Sequence, residues 1–198
     1  MNSFESMTRS PELMSRDDTT LLVVDVQEKL LRAMRAPDRL VWNVGRLVEG
    51  ARTLGVAIAA TEQYPQGLGA TTPSLADKLG SAHAKLTFSC WGCAGFREQL
   101  EPLDRPNVLV CGMETHVCVQ QTTLDLLAAG YRVFVAVDAV TSRAMLDHDV
   151  ALRRMESSGA TLTTVEAALF EWCGAAGTPE FKAISQLVKQ TFPTENSP

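Results

Sequence analysis

Cys118 is the residue whose surroundings in the chain most strongly suggest chemistry. It lies six residues after Gly112, between the apolar stretch 107–110 and the helix-prone stretch 119–129. A cysteine at such a strand-to-helix turn meets free helix amides and the positive end of the helix dipole, both of which favour a thiolate. The alternative is a small buried residue that only packs at the start of a helix.

An acid and a lysine occupy similar positions elsewhere in the chain. Asp25 directly follows the apolar run 21–24, and Lys85 opens the short apolar run 85–88. Asp25 either caps the next helix or serves as a general base. Lys85 is either a surface lysine lying along a sheet edge, or a cation that lowers the pKa of a nearby thiol and holds the aspartate.

Apolar runs alternate with helix-prone stretches, and hairpin turns are missing between them. We predict strands at 19–26, 55–60, 85–88, 107–111, 131–137 and 161–164. Helices are predicted within 28–54 (broken near Pro37, the longer part starting near Leu40) and at 95–103, 119–129, 148–158 and 179–189. This order predicts a doubly wound, Rossmann-like α/β sandwich of three layers, with a six-stranded, mainly parallel sheet. Sites in such folds form beyond the carboxyl ends of the strands, where Asp25, Lys85 and Cys118 all fall.

Composition limits the possible partners and organisation. The chain has 198 residues, 45% of them hydrophobic and 21% charged, which predicts one globular domain at 18–190. Residues 1–17 are expected to be a flexible tail and residues 191–198 a second tail. The net charge of -5 argues against a nucleic-acid partner, and no apolar run reaches the length of a membrane span. Five cysteines without a secretion signal favour a reducing, cytoplasmic location.

The three candidate residues lie in motifs that resemble a known family. The runs 25–27 (DVQ), 85–89 (KLTFS) and 112–122 (GMETHVCVQQT) are similar to the acid, lysine and nucleophile motifs of the isochorismatase-like cysteine hydrolases. The run 138–143 (DAVTSR) is similar to a family segment after the fifth strand. The resemblance covers nearly all of residues 18–190, and the nucleophile motif is its most specific part.

The resemblance implies a set of roles for particular residues. Asp25, Lys85 and Cys118 would form the catalytic triad. The backbone N–H groups of Glu114 and Cys118 would form the oxyanion hole, and the peptide bond between Met113 and Glu114 would be cis. The family also implies a homo-oligomer, a dimer or larger, and a small-molecule substrate.

One departure from the family pattern concerns metal binding. Nicotinamidases carry an aspartate and histidines after the second strand, and this chain has Gln63 and Pro65 at the matching positions. Its three histidines are not spaced as a metal cluster. We therefore expect no metal and no cofactor, as in the metal-free branch of the family. Isochorismatase itself does not rely on the cysteine, so the presence of Cys118 favours acyl transfer.

The expected function is hydrolysis of a small amide or related carbonyl compound through a thioester on Cys118. Candidate pocket walls are Gln27, Leu30, Tyr64, Trp91 and His116, although each is also compatible with ordinary packing or solvent exposure. Two alternatives remain. The first is a catalytically silent binding or scaffolding protein of the same fold, and the second is a thiol–disulfide protein that uses the Cys90/Cys93 pair.

Overall fold

The computed structural model describes residues 9–193 and contains one six-stranded sheet. Its strands are β1 (Thr19–Val24), β2 (Ala57–Gln63), β3 (His83–Lys85), β4 (Asn107–Met113), β5 (Arg132–Thr141) and β6 (Thr161–Thr163). The order is β3-β2-β1-β4-β5-β6, and every pairing between these strands is parallel. The predicted doubly wound sheet is confirmed, with its topological switch point between β1 and β4.

Helices cover both faces of the sheet. They are α1 (Glu28–Leu31), α2 (Pro37–Leu54), α3 (Pro65–Leu68), α4 (Pro73–Leu79), α5 (Ala94–Leu100), α6 (Gln120–Ala128), α7 (Met145–Ser157), α8 (Val165–Cys173) and α9 (Pro179–Val188). Leu21 and Val23 face a core shared with α2, α8 and α9, whereas Leu22 and Val24 face a core shared with α5, α6 and α7. This alternation along β1 follows from the two-residue repeat of a strand, and it produces the predicted three layers.

The long helix α2 shows how local sequence sets these boundaries. The predicted break near Pro37 is confirmed, but α2 begins at Pro37 itself and not near Leu40. Proline suits the first turn of a helix because its missing N–H would have no helical partner there. The helix ends at Gly55, which takes the left-handed conformation with a φ of 73°.

Several predicted strand boundaries and connections differ from the structure. The third strand is His83–Lys85 and not 85–88, because the carbonyls of Thr87 and Phe88 turn back to bond the Lys85 ammonium. The strands β2 and β5 extend beyond their predicted ends at residues 60 and 137. The helices α4 and α8 were not predicted, although the Thr164 side chain caps α8 by accepting from the Ala167 amide.

Two residues of the segments expected to be tails pack against the rest of the protein. Met14 is fully buried in the core, and its backbone amide donates to the Glu171 carboxylate at 2.9 Å. The Phe192 ring packs edge-to-face on Trp42 with a centroid distance of 5.6 Å. Met14 is buried and Phe192 is half-buried, so apolar contacts with the domain occur on both sides of 18–190. Residues 1–8 and 194–198 lie outside the described residues. No helix within 9–193 has both the length and the apolar character required of a membrane span.

The strand β4 approaches β1 closely at Gly112. Gly112 pairs with Val24 and has a φ of 113°. A Cβ atom at this position would overlap the backbone of Val24 more closely than real Cβ contacts allow. Only glycine therefore fits both the conformation and the space at the junction of the two central strands.

Replacing Gly112 by alanine should lower the free energy of unfolding by roughly 3 kcal/mol or more, because strain and overlap add. Gly55→Ala is the matched control, since Gly55 also has a positive φ but nothing lies within 4 Å of its added Cβ. The control should lose only about 1 kcal/mol. Urea unfolding measures both, and equal losses would contradict the close-approach argument.

Candidate active site

Asp25 lies where the chain leaves β1. Its backbone N–H donates to the Thr61 carbonyl at 3.1 Å, which continues the ladder for one more residue. Its φ of 52° is left-handed, a conformation that aspartate tolerates better than most residues. The carboxylate is fully buried. An acid at this position needs specific partners, because an unpaired buried charge is strongly destabilising.

Lys85 supplies the main partner and ends β3. Its ammonium donates to Asp25 Oδ2 at 2.7 Å and to Gln63 Oε1 at 2.6 Å. It also donates to the carbonyls of Phe88 at 3.0 Å and Thr87 at 3.3 Å. The Lys85 side chain is buried as completely as that of Asp25. Its three N–H groups are thus fully used, so it is a fixed cation and not a mobile surface lysine.

Gln63 is a site residue that the sequence analysis treated only as a lost metal ligand. It pairs directly with Lys85 across β2 and β3, so the two side chains are neighbours. Gln27 holds Gln63 in place. The Gln27 side chain accepts a hydrogen bond from the backbone N–H of Gln63 at 2.8 Å and donates one to the backbone carbonyl of Gln63 at 3.0 Å. Gln27 is fully buried and supports the site from behind. Gln63 follows Thr61 by two residues, so both side chains lie on the same face of a strand. This spacing is the sequence signal that could have marked Gln63 as a site residue.

Cys118 comes from the other half of the sheet. It lies in the π-helical turn Thr115–Val119, which follows β4 and leads into α6. Cys118 is 6% exposed, and its thiol donates to Gln63 Oε1 at 3.9 Å. The peptide bond between Met113 and Glu114 is cis. The amides of Val117 and Val119 both donate to the Glu114 carbonyl at 3.1 Å, which holds this turn together.

The electrostatics differ from the sequence expectation. Burial raises the pKa of Cys118, and the neighbouring Asp25 carboxylate raises it further, whereas Lys85 opposes both effects only in part. Both shifts oppose the thiolate form that the start of a helix favours, so a base such as Asp25 is needed to take the Cys118 proton. Burial also raises the pKa of Asp25, against the attraction of Lys85 and hydrogen bonds from Thr61 and Cys118. Burial alone would lower the pKa of Lys85, but Asp25 and the thiols outweigh it and raise the pKa.

The arrangement has a definite chemical capacity. An acid, an ammonium and a thiol converge at the carboxyl edge of the sheet, where Lys85 bonds Asp25 directly and shares Gln63 Oε1 with the Cys118 thiol. A carboxylate with a raised pKa is a better proton acceptor than an ordinary aspartate. Asp25 can therefore act as the base that accepts the thiol proton when the sulfur attacks.

The remaining pocket candidates lie in different places. Trp91 packs edge-to-face on Tyr131 at 5.7 Å and lines a cavity of about 450 Å³ with residues that precede β4 and β5. That cavity is at the amino edge of the sheet, away from Asp25. Tyr64 is half-exposed and lines a cavity of about 350 Å³ that includes Lys85. Leu30 packs against the core on the α2 side.

His116 lies in the cysteine turn. Its Nδ1 atom hydrogen-bonds with Ser142 Oγ at 3.0 Å. Carboxylate oxygens of Glu114 and Asp147 each lie 3.9 Å from its ring nitrogens. His116 thus contacts the protein's own polar groups.

The Cys90/Cys93 pair lacks the features of a redox motif. All five cysteines are free. Burial raises the pKa of Cys90 to about 12, whereas redox cysteines have lowered pKa values. The Cys90 thiol contacts Thr61 Oγ1 at 3.4 Å, and the Cys93 thiol donates to the Ala84 carbonyl at 3.6 Å. Within residues 9–193, no group of three or more His, Cys, Asp or Glu side chains is placed to hold a metal ion.

Solved structures share this architecture. A structure described as MAR1 ribonuclease from Caenorhabditis elegans aligns with a TM-score of 0.86 and 36% identity, over 94% of this chain and 97% of that one. YcaC from Pseudomonas aeruginosa, with hexane-2,5-diol and covalent acrylamide, aligns at 0.83 and 26% identity, over 91% and 93%. The Escherichia coli YcaC gene product, described as an octameric hydrolase of unknown specificity, aligns at 0.84 and 23% identity, over 91% and 92%.

Sequence comparison identifies the family. Residues 19–167 match the model of the isochorismatase domain. Isochorismatase domain-containing protein 2 of Bos taurus is 42% identical over 173 residues, covering 87% of this chain and 84% of that protein. The secreted isochorismatase effector Isc1 of Phytophthora sojae (strain P6497) is 36% identical over 202 residues, covering 99% and 96%. The chain therefore belongs to the isochorismatase family.

Proposed function

We propose that the protein is a cysteine-dependent hydrolase of a small amide or related carbonyl compound, acting through a thioester on Cys118. The observation that carries this proposal is the convergence of three groups: Lys85 bonds Asp25 at 2.7 Å, and both Lys85 and the Cys118 thiol donate to Gln63 Oε1. Membership of a hydrolase family supports it. The covalent acrylamide in Pseudomonas aeruginosa YcaC supports it as well, because that neighbour forms a bond with an electrophile.

The first half of the reaction forms the thioester. Asp25 accepts the Cys118 proton as the sulfur attacks the carbonyl carbon. The tetrahedral intermediate collapses, the C–N bond breaks, and Asp25 returns the proton to the leaving amine. The second half releases the product. Asp25 accepts a proton from water, the hydroxide attacks the thioester, and the carboxylic acid leaves as Cys118 regains its proton.

The cysteine turn supplies the proposed oxyanion hole. The backbone N–H groups of Glu114 and Cys118 would donate to the oxyanion as charge develops on it. Within residues 9–193, the Glu114 carbonyl accepts hydrogen bonds from the backbone N–H groups of Val117 and Val119 but not from that of Cys118. Removal of one such donor typically costs about a hundredfold or more in rate. Lys85 would stabilise the Asp25 charge throughout without exchanging a proton.

The burial of the nucleophile favours a small substrate. With 6% of Cys118 exposed, a compact carbonyl compound fits the approach to the sulfur better than a polymer does. The net charge of -5 also disfavours a polyanion, so we propose no nucleic-acid substrate, although one structural neighbour is described as a ribonuclease. Five free cysteines are typical of a protein in a reducing compartment, and we therefore propose a cytoplasmic location.

Replacing Cys118 by alanine should lower turnover by roughly a thousandfold or more, because Cys90, the other thiol near Asp25, is fully buried and out of reach of a substrate. Cys173→Ala is the matched control, since Cys173 is also buried but lies in α8 in the opposite layer. A panel of small amides, followed by amine release and mass spectrometry of acylated Cys118, provides the measurement. Full activity of the Cys118 variant would rule out the covalent route. Rapid alkylation of wild-type Cys118 without turnover of any amide would instead support the catalytically silent binding protein.

We also propose that the chain forms a homo-oligomer through α7. This helix exposes Leu146 at 73% and Val150 at 45%, beside the similarly exposed Met145. Its first half carries Asp147 and Asp149, and its second half carries two arginines, at 153 and 154. Two antiparallel copies of α7 would bury these apolar side chains and place the acidic half of each helix beside the basic half of the other. A two-fold interface requires such a self-complementary arrangement. The octameric state described for Escherichia coli YcaC supports self-association.

Leu146→Asp should convert the assembly to smaller species, because it places a charge in the proposed apolar contact. Leu103→Asp is the control, as Leu103 is 37% exposed but lies next to α5 and away from α7. Sedimentation velocity measures both variants. A wild-type monomer, or an unchanged oligomer of Leu146→Asp, would contradict the α7 interface.

A further inference from the structure

Thr61 is tied to Asp25 at two points. The Asp25 amide donates to the Thr61 carbonyl at 3.1 Å, and the Thr61 hydroxyl donates to Asp25 Oδ1 at 2.8 Å. Thr61 is 1% exposed, so water cannot take the place of either partner. With Lys85 on Oδ2, both oxygens of the carboxylate have a fixed donor. The plane of the carboxylate is therefore determined before any substrate arrives.

The hydrogen bond from Thr61 to Asp25 also determines which group donates in the contact between Thr61 and Cys90. A carboxylate only accepts hydrogen bonds, so the Thr61 O–H is committed to Asp25. Thr61 Oγ1 also lies 3.4 Å from the Cys90 sulfur, and in this contact the oxygen must accept from the thiol. Cys90 is fully buried and its pKa is raised to about 12, so its S–H stays available at any working pH.

Cys90 is itself held by α6, the helix that follows the turn carrying Cys118. Its backbone amide donates to Thr122 Oγ1 at 2.9 Å. Thr122 lies four residues after Cys118, one turn further along, so both side chains lie on the same side of the helix. The chain of contacts thus runs from this helix through Cys90 and Thr61 to the carboxylate.

We propose that Thr61 and Cys90 are positioning residues that hold the Asp25 carboxylate towards Cys118 through a directed Cys90–Thr61–Asp25 hydrogen-bond chain. The catalytic meaning of this chain rests on the proposed function, whereas the chain itself can be tested without a substrate. It gives the buried thiol Cys90 a role that requires neither a disulfide nor a second nucleophile. It also explains why the β2 residue that pairs with Val24 carries a hydroxyl.

The chain has a measurable consequence for the acid. The charged and titratable groups that face Asp25 are Lys85 at the end of β3, Cys118 in the turn before α6, and Cys90 after β3. A hydrogen bond from Thr61 stabilises the charged carboxylate and so lowers the pKa of Asp25. Loss of this donor should therefore raise the pH at which Asp25 becomes protonated.

Thr61→Val tests the proposal through two titrations. The first follows the pH dependence of Cys118 alkylation by iodoacetamide, with the site identified by peptide mass spectrometry. The second follows the carboxyl ¹³C shift of labelled Asp25, assigned by comparison with Asp25→Asn. Both acid midpoints should rise by about one pH unit, the size expected for a hydrogen bond to a charged group. Thr61→Ser should restore the wild-type midpoint, because it restores the hydroxyl.

Two further variants separate positioning from packing. Thr20→Val removes a hydroxyl from an equally buried strand residue, whose oxygen has no hydrogen-bond partner among the described residues, and should leave the midpoint in place. Cys90→Ala should raise the midpoint by less than Thr61→Val, and Cys90→Ser should reverse that change. If Thr61→Val does not fold, as judged by circular dichroism, the two Cys90 variants and Thr61→Ser carry the test.

Each result decides the proposal. A wild-type midpoint in Thr61→Val would overturn it, and a wild-type midpoint in Cys90→Ala would remove Cys90 from it. A change in alkylation amplitude alone, without movement of either midpoint, would show ordinary packing and overturn it too. If Cys118 proves unreactive and no amide is turned over, the proposed function fails, but the ¹³C titration still reports on Thr61.

Discussion

The buried ion pair between Asp25 and Lys85 is the interaction on which the rest of the site depends. Two charges removed from water require nearly every available hydrogen bond to offset the loss of hydration. The structure meets this requirement with Thr61 on the carboxylate and with Gln63 and two carbonyls on the ammonium. Those two carbonyls are the reason that β3 stops at Lys85. The requirements of one ion pair therefore set the end of a strand and the course of the loop after it.

The strand order determines how the thiol reaches this pair. Asp25 and Lys85 belong to the half of the sheet built from β1, β2 and β3, whereas Cys118 follows β4 on the other side of the switch point. The two halves meet where Gly112 lies against Val24 without room for a side chain. This close contact lets a turn from one half place its sulfur beside an acid from the other. A crevice at such a switch point is the usual binding site of doubly wound folds.

The raised pKa of Cys118 bears on the proposed chemistry. A thiolate stabilised by a lysine would need no base, but here the Lys85 charge is already matched by Asp25. Burial and the carboxylate both raise the pKa of the thiol, which favours its protonated form. The proposed reaction begins with proton transfer between two buried groups, which makes the orientation of the Asp25 carboxylate important. That dependence gives the contacts of Thr61 and Cys90 their proposed significance.

The sequence by itself determined the alternation of strands and helices, the three layers and the three residues that could do chemistry, because periodicity and strand-end position are local properties. It also placed the break before α2 correctly, since the preferences of proline act within one turn. Only the tertiary structure decided that Trp91 lies at the opposite edge of the sheet, that Gln63 bonds Lys85, and that Met14 and Phe192 belong to the packed domain. The direction in which the pKa of Cys118 shifts was likewise beyond the reach of the sequence. Burial and the distances between charges arise from residues far apart in the chain, and only the folded packing brings them together.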